Sequence, residues 1–275
     1  MTMQNDVPET TRAAREAPVD HGHPYPPGHL RFRVHGGRDI EGYARNGRMA
    51  SENLVALFLD GSLQLPAGAK VLDFGCGPGR VMTWFQQEHK DWTFFGTDID
   101  PEAIEWAQKN LSAIATFDCN GHLPPLRYET GFFDFIYSIS IFSHLPEDMQ
   151  DAWLAELSRV TKPGGCLVLT THGETLVPPE YQYVLKTGFH YSSGNATDGL
   201  PEFYQTSYQT QEYVRKVWSK YFTIENYFVR GLGGHQDLVI CRKPSVSADQ
   251  PVPHEDKVQG ATGGPVRRWL KGLAG

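Results

Sequence analysis

Short apolar runs alternate with segments of helical periodicity along the middle of the chain, and this alternation restricts the fold more than any other feature. Strands are predicted at residues 70–74, 93–97, 113–117, 132–138 and 166–171, and helices after residue 80, at residues 101–110 and at residues 147–160. Strands joined by right-handed helical crossovers run parallel, so their carboxyl ends share one edge of the sheet. The pattern predicts a doubly wound α/β domain that binds its ligand at that edge.

Further elements complete the predicted domain, which we place at residues 30–244. A helix at residues 210–221 precedes two strands, at residues 223–229 and 238–241, across a glycine-containing connection. This pattern indicates a terminal hairpin, in which the last strand runs antiparallel to the strand before it.

The two ends of the chain differ in composition from this domain. Residues 1–29 contain five prolines among polar residues, and residues 245–275 contain repeated prolines and glycines. Such segments bury too little apolar surface to offset the entropy of ordering them, so a flexible leader and a flexible tail are predicted. The histidines of the leader are expected to be solvated, and the basic, partly apolar residues 266–273 to form a frayed end.

Charge and cysteine content argue against several classes of protein. The formal net charge of -7 at pH 7 gives no general attraction to a phosphate backbone, so nucleic acid is not an expected partner. Four cysteines without a Cys-x-x-Cys pair predict neither a disulfide framework nor a zinc site. No run approaches the roughly 18 apolar residues of a membrane span. We therefore expect a cytoplasmic protein with no metal and no stable membrane insertion; the oligomeric state stays open.

Three glycines, Gly75, Gly77 and Gly79, follow the first predicted strand. Because they lack a Cβ atom, the backbone can turn tightly there and a ligand can approach it closely. A dinucleotide fingerprint would place its third glycine five residues after the first, where this chain has Arg80. Asp73 ends the strand with a carboxylate, which suits a cationic ligand better than a pyrophosphate.

Two further carboxylates are predicted at the same edge. Asp98 ends the second strand, where an acceptor for ribose hydroxyls would lie, and Asp100 is the better cap for the helix that follows. Asp118 follows the third strand, where its carboxylate can accept a hydrogen bond from an exocyclic amine; a simple turn aspartate is the alternative. The convergence of three acids is more specific than any one of them.

The segment Val71-Leu72-Asp73-Phe74-Gly75-Cys76-Gly77-Pro78-Gly79 resembles the first motif of class I S-adenosylmethionine-dependent methyltransferases. Gly96-Thr97-Asp98-Ile99-Asp100 is similar to the ribose-binding segment of that family, and Phe117-Asp118 to its adenine-proximal acid. The resemblance covers roughly residues 31–243, and it implies a seven-stranded sheet with an antiparallel last strand and S-adenosylmethionine as cofactor. With their neighbours, the cofactor-binding candidates are Asp73, Gly75, Cys76, Gly77, Gly79, Arg80, Asp98, Ile99, Asp118, Cys119 and Ser138.

Three histidines are candidates for catalysis, and His144 and His235 are favoured over His172. Methyl transfer from a sulfonium is an in-line displacement, so the protein aligns the acceptor, excludes water and in some reactions removes a proton. A histidine can accept that proton at neutral pH. His144 follows the fourth strand, His172 ends the fifth, and His235 lies in the connection of the hairpin. A hydrogen-bonded structural histidine is the alternative at each position.

The connection at residues 173–209 is longer than usual and rich in aromatic residues, which favours a lid over the acceptor; a packed insertion is the alternative. Tyr204, Tyr208 and His190 are its candidate substrate contacts.

The function predicted from these features is methyl transfer to a small-molecule acceptor, with an oxygen atom favoured, in a natural product, a sugar or a lipid-like molecule. Nitrogen or carbon acceptors and protein side chains are the alternatives within this class. Base-modifying enzymes usually carry Asn or Asp followed by Pro-Pro and an aromatic residue after strand four, from which Ser138-Ile139-Ser140 departs. Outside the class, an NAD-dependent dehydrogenase is disfavoured by Arg80 and the three acids, and a non-catalytic cofactor-binding protein stays open.

Overall fold

The computed structural model describes residues 21–194 and 199–245. Its helices are α1 (Gly28–His35), α2 (Ile40–Leu59), α3 (Met82–Glu88), α4 (Pro101–Leu111), α5 (Glu147–Val160), α6 (Val184–Thr187) and α7 (Gln211–Trp218). Its strands are β1 (Lys70–Phe74), β2 (Thr93–Asp98), β3 (Ala115–Cys119), β4 (Phe133–Ser138), β5 (Thr161–Thr171), β6 (Phe189–Ser192), β7 (Thr206–Gln209), β8 (Thr223–Leu232) and β9 (Gln236–Arg242). Among these described residues, no helix is both long and apolar enough to cross a membrane.

Seven strands form one sheet in the order β3-β2-β1-β4-β5-β9-β8. The first five strands pair in parallel, whereas β9 runs antiparallel between β5 and β8. The predicted doubly wound sheet with an antiparallel last strand is thus confirmed. The strand order reverses between β1 and β4, so a crevice forms beside the carboxyl ends of these two strands.

Successive strand residues point into two separate hydrophobic layers. Val71 packs in a layer with Leu54 of α2 and with residues of α3 and α4. Its neighbour Leu72 packs in the opposite layer with Trp153 of α5 and Trp218 of α7. Because both faces of the central strands are covered, these strands are apolar at nearly every position rather than alternating.

The N-terminal side differs from the flexible leader expected at residues 1–29. His21 is buried at 5% exposure, its ring centroid lies 5.0 Å from that of Trp84, and α1 begins within the predicted leader. His29 contacts Glu102 of α4 at 2.6 Å. The structure corrects the expectation for residues 21–29, because proline content does not reveal contacts made with distant segments. The rest of the predicted leader, at residues 1–20, lies outside the described residues. So do residues 246–275, which are nearly all of the predicted tail and include its basic segment.

The described part of the long connection after β5 contains several short elements of regular structure. It contains two 3-10 helices, α6, and the antiparallel pair β6–β7. The backbone N–H of Ser207 donates to the carbonyl of Ser143 at 2.8 Å, and that of Gln209 to the carbonyl of His172 at 2.9 Å. Strand β7 is therefore anchored against the segments that follow β4 and β5.

Candidate active site

A cavity of about 480 Å³ opens at the carboxyl ends of β1, β2 and β4, at the crevice expected from the strand order. Nine of the predicted site residues line it: Asp73, Gly75, Cys76, Gly77, Arg80, Asp98, Ile99, His144 and Tyr204. Eight do not line it: Gly79, Asp118, Cys119, Ser138, His172, His190, Tyr208 and His235.

The glycine loop after β1 is packed too closely for larger residues. Gly75 and Gly77 have φ values of 80° and 52°, in the left-handed region that glycine tolerates. A Cβ atom on Gly75 would lie 2.2 Å from Cδ1 of Ile141, and one on Gly77 would lie 2.7 Å from Cγ1 of Val34. The third glycine, Gly79, faces α4 instead of the cavity, so it serves the packing of helix against loop.

A buried carboxyl group and a buried guanidinium in the cavity wall are not paired with each other. Asp73 is 3% exposed, and burial raises its pKa to about 8 although the nearby hydroxyl of Tyr137 lowers it. The Oδ2 atom of Asp73 forms no hydrogen bond of normal geometry with the described residues. The guanidinium of Arg80 forms no ion pair with any described residue, and burial lowers its pKa. Such a pair is complementary to a zwitterion that carries an ammonium and a carboxylate.

Asp98 holds the glycine loop in place while it lines the cavity. Its Oδ2 accepts a hydrogen bond from the backbone N–H of Gly77 at 2.7 Å, and its Oδ1 accepts one from that of Asp100 at 2.9 Å. Burial raises the pKa of Asp98 to about 6. Asp100 caps α4 by accepting from the backbone N–H of Glu102 at 3.1 Å, as expected.

The acid expected beside the adenine has other partners. β3 ends at Cys119, two residues beyond the predicted end, so Asp118 and Cys119 lie within the strand. Asp118 forms an ion pair with Arg127 at 2.6 Å and accepts a hydrogen bond from the Tyr128 hydroxyl at 2.9 Å. These partners come from a segment whose position the strand pattern does not predict, and the contact of Asp118 with the adenine stays a prediction.

Other residues line the cavity on this side. Asn120 and His122, which the sequence reasoning missed, follow β3 and contribute to the wall. Ser138 is fully buried, and its hydroxyl donates to the carbonyl of Phe74 at 2.9 Å, so it joins β4 to β1 away from the cavity.

The three predicted histidines lie in a row, but they differ in access to the cavity. The ring centroids of His144 and His172 are 5.6 Å apart, and those of His172 and His235 are 5.9 Å apart. His144 lines the cavity, whereas His235 is exposed at the turn between β8 and β9. His172 is half-buried between them, and burial lowers its pKa to about 4.

The environment of His144 leaves it neutral, with one nitrogen free to accept a proton. Its Nδ1 lies 2.5 Å from the carbonyl oxygen of Gln205; a carbonyl only accepts, so Nδ1 carries the hydrogen. Nε2 then holds a lone pair, and it makes no hydrogen bond with the described residues. Burial lowers the pKa of His144. Its ring stacks on that of Tyr204 at 4.5 Å between centroids.

Of the three predicted substrate contacts in the insertion, only one lines the cavity. Tyr204 lines the cavity, and its hydroxyl donates to the carbonyl of Ser140 at 2.9 Å. Tyr208 and His190 instead belong to an aromatic cluster outside the cavity lining, in which the rings of Tyr181 and His190 are 4.1 Å apart and the ring of Tyr208 lies 5.6 Å from that of His172. The sequence shows that the insertion is rich in aromatic residues, but it does not show which of them face the cavity.

Helix α1 forms a wall of the cavity that the sequence reasoning did not anticipate. Phe32, Val34 and His35 line the cavity, and Arg33 contacts Asp100 at 2.8 Å and Glu102 at 2.9 Å. The helix ends at His35, and Gly36 follows with a φ of 74°. Basic residues in a last turn followed by glycine indicate a helix end, so this signal was present in the sequence.

Residues 71–165 match a sequence family described as a methyltransferase domain. Methyltransferase GfsG of Streptomyces halstedii is 32% identical over 137 residues, which are 47% of this chain and 45% of that protein. A tRNA (carboxymethyluridine(34)-5-O)-methyltransferase of Arabidopsis thaliana is 32% identical over 124 residues, 45% of this chain and 28% of that protein. The chain thus matches less than half the length of these curated relatives.

Among solved structures, a SAM-dependent methyltransferase from Aquifex aeolicus has a similar fold. The TM-score is 0.53 at 14% identity, with 80% of this chain and 100% of that chain covered. The matched family segment runs from β1 into β5 and contains the glycine loop, Asp98 and His144. Residues 71–165 thus match a methyltransferase domain, and the motifs and strand order of the chain are similar to those of class I S-adenosylmethionine-dependent methyltransferases.

Proposed function

We propose that this protein transfers the methyl group of S-adenosylmethionine to an oxygen atom of a small molecule, and that His144 is the general base. One observation carries this proposal: a single cavity is lined by the buried carboxyl group of Asp73, by the guanidinium of Arg80, which forms no ion pair with the described residues, and by a neutral histidine with a free Nε2. Tyr204 links these groups, because it stacks on His144 and lies within electrostatic range of Arg80.

The residues at the ends of β1 and β2 fit the cofactor. The unpartnered Oδ2 of Asp73 would accept hydrogen bonds from its ammonium group, and the guanidinium of Arg80 would bind its carboxylate. Asp98 keeps lone pairs for ribose hydroxyls beyond the two backbone bonds that it accepts. When bound, the cofactor supplies an electrophilic methyl carbon.

The other side chains of the cavity orient the acceptor and remove its proton. Nε2 of His144 accepts the proton of the acceptor hydroxyl, and the carbonyl of Gln205 stabilises the resulting imidazolium through Nδ1–H. Leu145 and Trp153, at 3% and 2% exposure, border the same cavity and exclude water from it.

One relative is named for a tRNA, so a nucleoside within RNA is a second acceptor to consider. The formal net charge of -7 favours a free small molecule, because most nucleic-acid-binding surfaces are strongly basic.

The test compares His144→Gln with the matched control His235→Gln, whose histidine is exposed and outside the cavity. We expect His144→Gln to lower the rate of methyl transfer to hydroxylated acceptors by about 10²- to 10⁴-fold, the usual contribution of a general base. Calorimetry should give the same affinity for S-adenosylhomocysteine in both variants. Full activity in His144→Gln would exclude the proposed base, and failure of the wild-type protein to bind S-adenosylhomocysteine would exclude the proposed function.

A further inference from the structure

The charged side chains that line the cavity come from one part of the chain only. The charged residues that line it, Arg33, Asp73, Arg80, Asp98 and Asp100, all precede β3 in the chain. We call the lining residues of segments 139–145 and 200–206 the acceptor wall. No Asp, Glu, Lys or Arg is among the described residues of this wall, and His144 is its one imidazole.

The absence of charge limits what the acceptor wall can bind. A carboxylate, phosphate or ammonium on the acceptor would find no partner of opposite charge there, and burying an unpaired charge is costly. Neither arginine of the cavity can substitute: Arg33 is already paired with Asp100 and Glu102, and the proposed function assigns Arg80 to the carboxylate of the cofactor. The reacting end of the acceptor is therefore uncharged.

The acceptor wall offers apolar and aromatic side chains to a ring. Its aliphatic members include Ile139, Ile141 and Leu145, and its aromatic members are Phe203 and Tyr204. Tyr204 stacks on His144 with an angle of 25° between the rings, and Phe203 lies 5.1 Å from His122. Aromatic side chains gain stacking energy with a planar partner beyond what the buried area provides.

The environment of His144 selects for an acidic hydroxyl. The groups that face its ring are the carbonyl of Gln205, the phenol of Tyr204 and His172, and none of these is a carboxylate that would strengthen the base. Burial weakens it further by lowering the pKa of His144. A phenol, with a pKa of about 10, gives its proton to such a base far more readily than an aliphatic alcohol, whose pKa is close to the value of about 16 for water.

From these observations we infer that the acceptor is an uncharged phenol or enol, whose flat apolar ring lies along the acceptor wall with its hydroxyl at Nε2 of His144. This inference rests on the proposed function. The new O–C bond forms as the C–S bond of the cofactor breaks and its electron pair stays on sulfur. The hydroxyl proton passes to Nε2 of His144 and then to solvent.

The test uses the full chain with S-adenosylmethionine and acceptors of matched shape. One set is 4-ethylphenol, 4-ethylcyclohexanol, 4-ethylaniline and 4-hydroxyphenylacetate, and a two-ring set starts from 2-naphthol with its saturated, amino and carboxylated counterparts. Methylated product is measured by mass spectrometry. We expect the neutral phenols to react at least about a hundredfold faster than the saturated, amine and anionic members, the scale of an effective general base.

A matched pair of variants tests the stacking. Phe203→Leu should raise the KM for the phenol by up to about tenfold, the range of aromatic stacking, while Phe228→Leu, at an exposed position of β8, should not. The affinity for S-adenosylhomocysteine and the melting temperature show whether each variant is folded.

The outcomes separate the two proposals. If S-adenosylhomocysteine does not bind, the proposed function fails. If it binds, but charged, amine or saturated members react as fast as the phenols, or no phenol reacts, the acceptor class is wrong and the cofactor assignment stands. An unchanged KM in Phe203→Leu likewise overturns the stacking arrangement.

Discussion

Asp73 should couple binding of the cofactor to the release of a proton. Burial raises its pKa to about 8, so about 0.9 of the unliganded molecules carry a neutral Asp73 at pH 7. An ammonium group pairs with the ionised form, because an opposite charge at contact lowers the pKa of a carboxyl. Binding of S-adenosylhomocysteine, which retains the ammonium and the carboxylate, therefore requires that this proton leave.

The magnitude follows from the fraction of neutral Asp73. We predict release of about 0.9 proton at pH 7 and about 0.5 at pH 8, and an association constant that rises about ninefold from pH 6 to 7 and about fivefold from pH 7 to 8. The pKa of Asp98 is raised to about 6, so Asp98 is largely ionised above pH 7 and the second interval reports on Asp73. The affinity for S-adenosylhomocysteine increases with pH, because the neutral carboxyl group of Asp73 binds the ammonium group poorly.

The assay is titration calorimetry of S-adenosylhomocysteine at each pH, in buffers of different ionisation enthalpy. Asp73→Asn should bind more weakly, release no proton, and show affinity that does not change between pH 7 and 8. Glu52→Gln, an exposed acid paired with Arg48 outside the cavity, is the matched control and should behave as wild type. Equal proton release from Asp73→Asn and wild type, or none from wild type, would refute the reasoning.

Arg80→Met should weaken binding of S-adenosylhomocysteine about ten- to hundredfold in calorimetry, since hydrogen bonds to a charged group contribute about 1.5–3 kcal/mol; unchanged affinity would remove Arg80 from the site. The acid limb of the kcat profile, measured at saturating S-adenosylmethionine so that Asp73 is already ionised, should begin below pH 6.5, since burial lowers the pKa of His144 and activity is lost as the imidazole becomes protonated; a midpoint above pH 6.5 would contradict this. Gly77→Ala should destabilise by about 1–3 kcal/mol in urea unfolding, because its Cβ would lie 2.7 Å from Val34 at a φ of 52°. Leu72→Ala should cost about 2–5 kcal/mol in the same assay, since Leu72 is fully buried; a loss below 1 kcal/mol would contradict the close packing of that layer.

Local signals were sufficient where an element depends on its own residues. Asp100 caps α4 and Pro101 begins it, as the sequence predicts. Strand β1 and helix α5 have the predicted bounds. Helix α2 carried a comparable signal, because its buried face follows helical spacing and Asp39 accepts a hydrogen bond from the backbone N–H of Gly42. This helix is nevertheless not among the elements predicted from the sequence.

Local signals were not sufficient where the surroundings of a residue depend on a partner outside its own strand or helix. The carboxylate of Asp118 is paired with Arg127, which lies nine residues further along the chain, in a segment without regular structure. Among the histidines, position after a strand could not show which one has a free nitrogen at the cavity. That depends on the carbonyl of Gln205, 61 residues from His144.

The sequence by itself determined the doubly wound sheet, the antiparallel last strand and the glycine loop, because periodicity and left-handed turns are properties of short segments. It also brought Asp73, Arg80 and Asp98 to the same edge, since parallel strands share their carboxyl ends. Only the tertiary structure decided which side chains at that edge face the cavity. The direction of a side chain depends on the hydrogen bonds and ion pairs that distant segments offer it, and these form only when the chain is folded.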